Sequence, residues 1–354
     1  SPSGFAKSFG VVLKSRKVII VAPYRLNRVG GVERFILSFA EAAQNIGVSC
    51  VIYNPLGFVS KSLNVIHEID DNEYDLCLSH AIYGLGAMPK AYRRVHTFHG
   101  TILGNLYQRP WLWIHPKFLQ WLAMESASRR EKDGVIGVSD WAIREIHRMG
   151  YRGPVSQIPS GGGFEAQRIK TPNSSGNESE LLCLFCGRSS DKVKRFNLIR
   201  EGIRLVREKN KNIRLLVLGG SVAKSEPGIE YLGDKPYSEV LKLMRKAQVQ
   251  INASYYEGYS LSLSEGIYQA GLITLATPVG GNLNTVLHGK TGFFFQSARE
   301  LATYLLSLSR SSELRETLFT NIFEEMPIAS WEKVAEQTFD FAFSVPTNNE
   351  TALD

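Results

Sequence analysis

Two glutamates, Glu257 and Glu265, stand eight residues apart in the stretch VQINASYYEGYSLSLSEGIYQAGLITLATPVGG, residues 249–281. Glu257 follows an apolar, strand-like run and precedes Gly258-Tyr259-Ser260-Leu261, where the pattern turns helical. A carboxylate in such a turn can accept hydrogen bonds from the hydroxyls of a sugar. Gly258 lets the backbone turn sharply and approach a ligand closely. The helix expected to begin between Ser260 and Ser262 starts with unpaired N–H groups and a partial positive charge, which suit a phosphate. Glu265, one to two turns further on, could grip a ribose. As a bare spacing, two such glutamates are more often solvated surface charges. The surrounding order of strand, acidic turn, helix, strand and glycine loop is what makes a ligand site of them.

The second strand-like run follows Ala270-Gly271 and ends in the loop Thr277-Pro278-Val279-Gly280-Gly281. The whole stretch resembles the signature of the retaining glycosyltransferases of family four, which have the two-domain GT-B fold. Glu257, Gly258, Glu265, Gly271, Pro278 and Gly281 match that signature. Asn252 and Gly266 depart from the family's usual residues, and neither is expected to carry chemistry. The resemblance implies an α/β chain of two doubly wound, Rossmann-like parallel-sheet domains facing a cleft. It implies transfer of a sugar from a nucleotide diphosphate sugar to a hydroxyl, with the anomeric configuration retained. Tyr259, Ser260 and Leu261 fall among the implied donor-binding residues. No metal and no cofactor is expected beyond the nucleotide sugar as co-substrate.

Other residues fit the same resemblance. In GRSSDKVKR, residues 187–195, a strand ends in Gly-Arg and a lysine follows. The family places an Arg and a Lys here on the donor diphosphate. Arg188 matches the first. Lys194 matches the second, because FNLI after it begins the next helix, with Lys192 as the competitor. Two cations beside a helix start would neutralise the charge that develops on a departing diphosphate. Gly30-Gly31, in GGVER after the first strand, resembles the family's first glycine loop, which approaches the donor from the other domain. His99 ends a strand where the family has a His near the transferring sugar, so it is assigned to sugar or acceptor contact. His80 and His96 are read as structural, and Ser139 as a helix cap.

These residues need a frame that brings strand ends together. Buried strand-like runs alternate with helical patterns through the first half: VIIVAP, VSCVIY, DLCLSH, VHTFHG and GVIGVS. Between them, Val32, Phe35, Ile36, Phe39, Ala43 and Ile46 fall on one helical face. Such alternation argues for a parallel sheet covered on both sides. The pattern restarts after the polar segment 168–180 with LLCLFCGR, IRLLVLGG and VQINAS. The expected organisation is residues 1–165 as an acceptor-side domain and 166–328 as the nucleotide-sugar domain. The resemblance implies that a helix over 329–345 crosses back to the first domain, and a disordered tail is expected at 346–354.

Composition narrows the partners. The chain of 354 residues has a net charge of +7. Lys and Arg outnumber Asp and Glu by 21 to 13 through Lys170, against 20 to 21 in the remainder. A basic first half suits an anionic partner, a glycan or lipid-linked glycan acceptor at an anionic membrane surface. Nothing resembles a nucleic-acid motif. No run of eighteen apolar residues and no secretory pattern is seen, so a cytoplasmic protein is expected, peripheral at the inner face of the membrane. Cys50, Cys77, Cys183 and Cys186 sit in apolar runs and read as core thiols. The segment 107–132 mixes aromatics with cations and is read as a buried helix rather than a membrane-facing one. HGKT at 288–291 imitates the end of a P-loop without its first glycine. Asp70-Asp71-Asn72-Glu73 is read as solvated rather than as a metal site. The alternative to an enzyme is a catalytically inactive GT-B binding or scaffolding subunit.

Overall fold

The computed structural model describes residues 16–22, 26, 30–68, 73–80, 90–101, 106, 113–114, 118–119, 122, 133–169, 180–222 and 224–346. The chain divides into two compact units, Ser1–Ser160 with Trp331–Asp354, and Gly161–Ser330.

The first unit is built on a seven-stranded parallel sheet, β1 (Val18–Val21), β2 (Cys50–Tyr53), β3 (Asn64–Ile66), β4 (Tyr74–His80), β5 (Ala91–Phe98), β6 (Gly134–Gly137) and β7 (Val155–Gln157). Their spatial order is β3-β2-β1-β4-β5-β6-β7. Strands β1 and β6 are buried along their length, as continuous apolar runs require when both faces are covered. Helix α1 (Gly31–Asn45) buries Phe35, Ile36, Phe39 and Ala43, which recur at helical spacing. Helix α2 (Asp140–Arg148) starts where the Ser139 hydroxyl accepts from the Ala142 N–H at 3.2 Å.

The second unit has six parallel strands, β8 (Leu181–Cys186), β9 (Ile213–Leu218), β10 (Ile229–Gly233), β11 (Val249–Asn252), β12 (Ile273–Ala276) and β13 (Gly292–Phe294), in the order β10-β9-β8-β11-β12-β13. Its helices are α3 (Phe196–Arg207), α4 (Tyr237–Lys246), α5 (Leu261–Ala270), α6 (Asn282–Thr285), α7 (Ala298–Arg310) and α8 (Ser312–Glu325). The last helix, α9 (Trp331–Ser344), belongs to the first unit, where Phe339 packs on Phe39 and Arg93 donates to the Val345 carbonyl.

Both strand orders reverse direction once, between β1 and β4 and between β8 and β11. At such a switch point the loops leaving the strand ends diverge and open a crevice for a ligand. In the second unit Glu257 follows β11 and Arg188 follows β8, the two strands at its switch point; in the first unit His99 follows β5. Three sequence readings fall largely outside the described residues: the acidic run at 70–73, most of the aromatic segment 107–132, including Trp111 and Trp121, and the tail beyond 346.

Candidate functional site

In the second unit the site is made by three loops that bind one another before they bind anything else. The loop after β8 is tight: Gly187 donates its N–H to the Leu218 carbonyl at 2.7 Å. Asp191 then caps a single 3-10 turn, Lys192–Lys194, by accepting from the Val193 N–H at 3.0 Å. Arg195 follows in the left-handed region at φ 48°, which costs a side-chain-bearing residue energy, and it opens α3. Its guanidinium lies 4.3 Å from the Tyr255 ring centroid, and the Tyr255 N–H donates to the Val193 carbonyl at 2.8 Å. The 3-10 turn is thereby docked on the loop after β11.

That docking puts Lys194 on Glu257. The Lys194 ammonium donates to Glu257 Oε2 at 2.7 Å, with side chains 25% and 13% exposed. The same oxygen accepts from Ser254 Oγ at 3.0 Å and from Asn252 Nδ2 at 3.2 Å. Among the described residues all three hydrogen bonds to this carboxylate fall on Oε2 and none on Oε1. Removal from water works to raise the Glu257 carboxyl. The Lys194 charge and the three hydrogen bonds outweigh it and hold the group below the usual glutamate value. Glu257 is therefore ionised at neutral pH. Lys192, by contrast, is exposed.

The glycine loop after β12 closes on the same segment. The Gly281 N–H donates to the Glu257 carbonyl at 2.8 Å. Gly280 is left-handed at φ 48°, and a Cβ on it would collide with that carbonyl. A Cβ on Gly281 would meet Tyr259 Cα at 2.6 Å. Tyr259 and Ser260 are buried, and burial pushes the Tyr259 phenol up to about 12. Helix α5 starts at Leu261 without a side-chain cap, so its first N–H groups face the crevice end unclaimed by a side chain. Glu265 is buried one turn in, and its charge, after burial, pushes the Cys186 thiol up to about 12. That places Glu265 beside the end of β8.

Arg188 is 75% exposed and sits 3.7 Å from Asp191, a loose pair. Its backbone packs at Gly220, where the loop after β9 turns left-handed.

Gly30, Gly31 and His99 lie in the first unit. Gly30 has an extended φ of −131°, so no left-handed turn demands glycine there; the Glu33 carboxylate folds over the space a Cβ would fill. His99 is wedged edge-on against Phe35, with ring centroids 4.6 Å apart, and its Nε2 lies 3.3 Å from His80 Nδ1. Phe35 also meets Trp331 of α9. Burial pushes the His99 imidazole down to about 4. His80 is also held low, by burial and then by the neighbouring His99 and His96. Both rings are neutral at physiological pH, so His99 offers hydrogen bonds rather than charge.

Three contacting residues, Ser254, Arg195 and Tyr255, escaped the sequence reading. Asn252, set aside there, donates directly to Glu257 Oε2 at 3.2 Å. His80, read as structural, lies against His99. The one available signal was Asn252 itself, a polar residue ending an apolar run. The thiols of Cys50, Cys77 and Cys183 are buried and Cys186 is half-buried, and none of the four is in a disulfide. In HGKT, Thr291 Oγ1 accepts from the Leu287 N–H at 2.9 Å, so these residues form a structural turn.

Comparison with known proteins points to the same region. Residues 180–311 match the family described as Glycosyl transferases group 1. An uncharacterized glycosyltransferase of Methanocaldococcus jannaschii is 35% identical over 107 residues, a stretch that spans 30% of this chain and 30% of the relative's length. Sucrose-phosphate synthase from Thermosynechococcus elongatus superimposes with a TM-score of 0.73 at 18% identity, covering 92% of this chain and 98% of that one. HepE of Anabaena, solved in complex with UDP and glucose, superimposes with a TM-score of 0.71 at 14% identity, covering 93% and 100%. The protein has a GT-B-like α/β fold, and its residues 180–311 match the glycosyl transferases group 1 family.

Proposed function

We propose that this protein is a retaining, metal-independent glycosyltransferase. It moves a sugar from a nucleotide diphosphate sugar to a hydroxyl of a glycan or lipid-linked glycan acceptor, in the assembly of surface polysaccharide or lipopolysaccharide. The observation that carries the reading is the Lys194–Glu257 pair at the uncapped start of α5. It sets a cation, a row of backbone N–H donors and one open carboxylate oxygen side by side, as a diphosphate and its sugar require.

In this reading Arg188, Lys194 and the start of α5, at Ser260 and Leu261, hold the diphosphate. Glu265 holds the ribose. Glu257 Oε1 accepts a hydroxyl of the donor sugar and fixes its orientation. The bond from the anomeric carbon to the diphosphate oxygen breaks and the bond to the acceptor oxygen forms on the same face. The departing phosphate oxygen takes the acceptor's proton. An ionised Glu257 cannot supply a proton, and its role is positioning and charge. His99 contacts sugar or acceptor as a neutral ring.

The match to UDP-bound HepE favours a UDP-sugar. The basic excess before Lys170 favours an anionic acceptor at the inner membrane face, with the protein cytoplasmic and peripheral. Calorimetric binding of UDP, GDP and ADP to the wild type and to Glu265→Ala tests the donor site. One nucleotide should bind selectively and weaken at least tenfold in the variant. Binding of none would turn the reading to a catalytically inactive subunit. Cosedimentation with anionic vesicles at low salt tests the membrane part, which fails if the protein stays in solution.

A further inference from the structure

Asn252 closes β11 and is buried, with 5% of its surface exposed. Every polar atom of its side chain is engaged within one loop. Oδ1 accepts from the Ser254 N–H at 2.9 Å. Nδ2 donates to Glu257 Oε2 at 3.2 Å and to Ser260 Oγ at 3.3 Å. These partners stand at the beginning, the middle and the end of the segment that joins β11 to α5. The backbone N–H at one end fixes which way the amide points, so both amide hydrogens face the carboxylate and the hydroxyl. The Asn252 carbonyl also accepts from the Thr277 N–H at 2.9 Å, which ties in the glycine loop.

We propose that Asn252 is a positioning residue that, with Ser254, holds the Glu257 carboxylate at Oε2 independently of Lys194. The consequence rests on the donor site proposed above. A bound diphosphate competes with Glu257 for the Lys194 ammonium. When that ammonium turns away, Asn252 and Ser254 remain on Oε2, and Oε1 keeps its aim at the sugar. Without them, loss of the lysine would leave a half-buried carboxylate with no donor, free to rotate and to take up a proton. Among the described residues Lys194 is the one charged side chain paired with Glu257. The glycine loop contributes no titratable side chain, and Glu265 of α5 lies toward Cys186.

The test reads Glu257 directly. The full chain is labelled with carboxyl-13C glutamate, and the Glu257 resonance is assigned by its loss in Glu257→Gln. Its titration is compared in the wild type, Asn252→Ser, Asn252→Asp and Ser254→Ala, with thermal melts to confirm folding. Asn252→Ser removes the donor pair, while Asn252→Asp keeps the bond to the Ser254 N–H and sets a like charge on Glu257. The Glu257 midpoint should rise in Asn252→Ser and rise further in Asn252→Asp. The Asn252→Asp shift should persist in a Lys194→Met background. Unchanged titration in both folded Asn252 variants overturns the proposal, as does a shift that vanishes when Lys194 is gone. Absence of nucleotide binding by the wild type would instead sink the donor reading and leave this titration result standing.

Discussion

Lys194 and Glu257, 63 residues apart in sequence, meet at 2.7 Å in a site where both side chains are largely withdrawn from water. Removing Glu257 strands the Lys194 ammonium, and removing Lys194 leaves the carboxylate with Asn252 and Ser254 alone. Lys194→Met should therefore cost about 2 kcal/mol of stability, less than for a fully buried pair because a quarter of the lysine remains exposed. Lys194→Met/Glu257→Gln should cost less than the sum of the single changes, as urea unfolding in a double-mutant cycle would show. The pH dependence has a definite sign. Glu257 is depressed in the fold, so its contribution is complete above the ordinary glutamate value of 4.5 and is lost as pH falls through the lower folded value. Glu257→Gln should lack that acid-side loss.

Arg188 offers the converse case. It is 75% exposed with a loose 3.7 Å partner, so Arg188→Gln should leave the melting temperature unchanged. Nucleotide diphosphate binding should fall by at least about tenfold, as expected for a lost charge-assisted hydrogen bond. Arg188→Gln/Lys194→Met should abolish turnover. Full activity in that double variant, measured by nucleotide release with acceptor present, would end the diphosphate assignment.

Gly266 and Gln250 form a matched pair. The Gln250 amide lies where a Cβ on Gly266 would sit, and its Nε2 donates to Leu263 O at 2.9 Å and Thr274 Oγ1 at 2.8 Å. Gly266→Ala alone should destabilise by about 1–3 kcal/mol through overpacking. In a Gln250→Val background the same change should cost less, and chemical denaturation of the four proteins measures the coupling.

The histidines of the first unit set a second pH response. His99 titrates at about 4 in the fold, well below its ordinary 6.5, and His80 is depressed as well. The unfolded chain then binds more protons below pH 6.5, so stability is complete above that point and declines as pH falls toward 4. His99→Gln should flatten part of that decline, with the remainder belonging to His80. Urea midpoints at pH 7 and pH 5 check it.

The α/β architecture was legible because buried parallel strands announce themselves as short apolar runs such as VIIV and ITLA. The start of α5 at Leu261 also fell within the expected Ser260–Ser262 window. What escaped notice were the edge strands β3 and β10, whose partly exposed faces break the apolar run. The meeting of Lys194 with Glu257 depends on a left-handed Arg195, which no pattern in KVKRF betrays. Asn252 was passed over for a related reason. A side-chain amide shows its purpose only when the loop beyond it folds back onto its strand.

The four native thiols lend themselves to a practical use. Three are shut away from solvent, and burial raises Cys50 and Cys186 to about 12 and Cys183 further, far from the thiolate that alkylating reagents attack. A cysteine introduced on the surface would thus take up a dye or spin label against a silent background. Pairs of such labels, one in each unit, would let distances be followed as nucleotide is added, without first stripping the protein of its own cysteines.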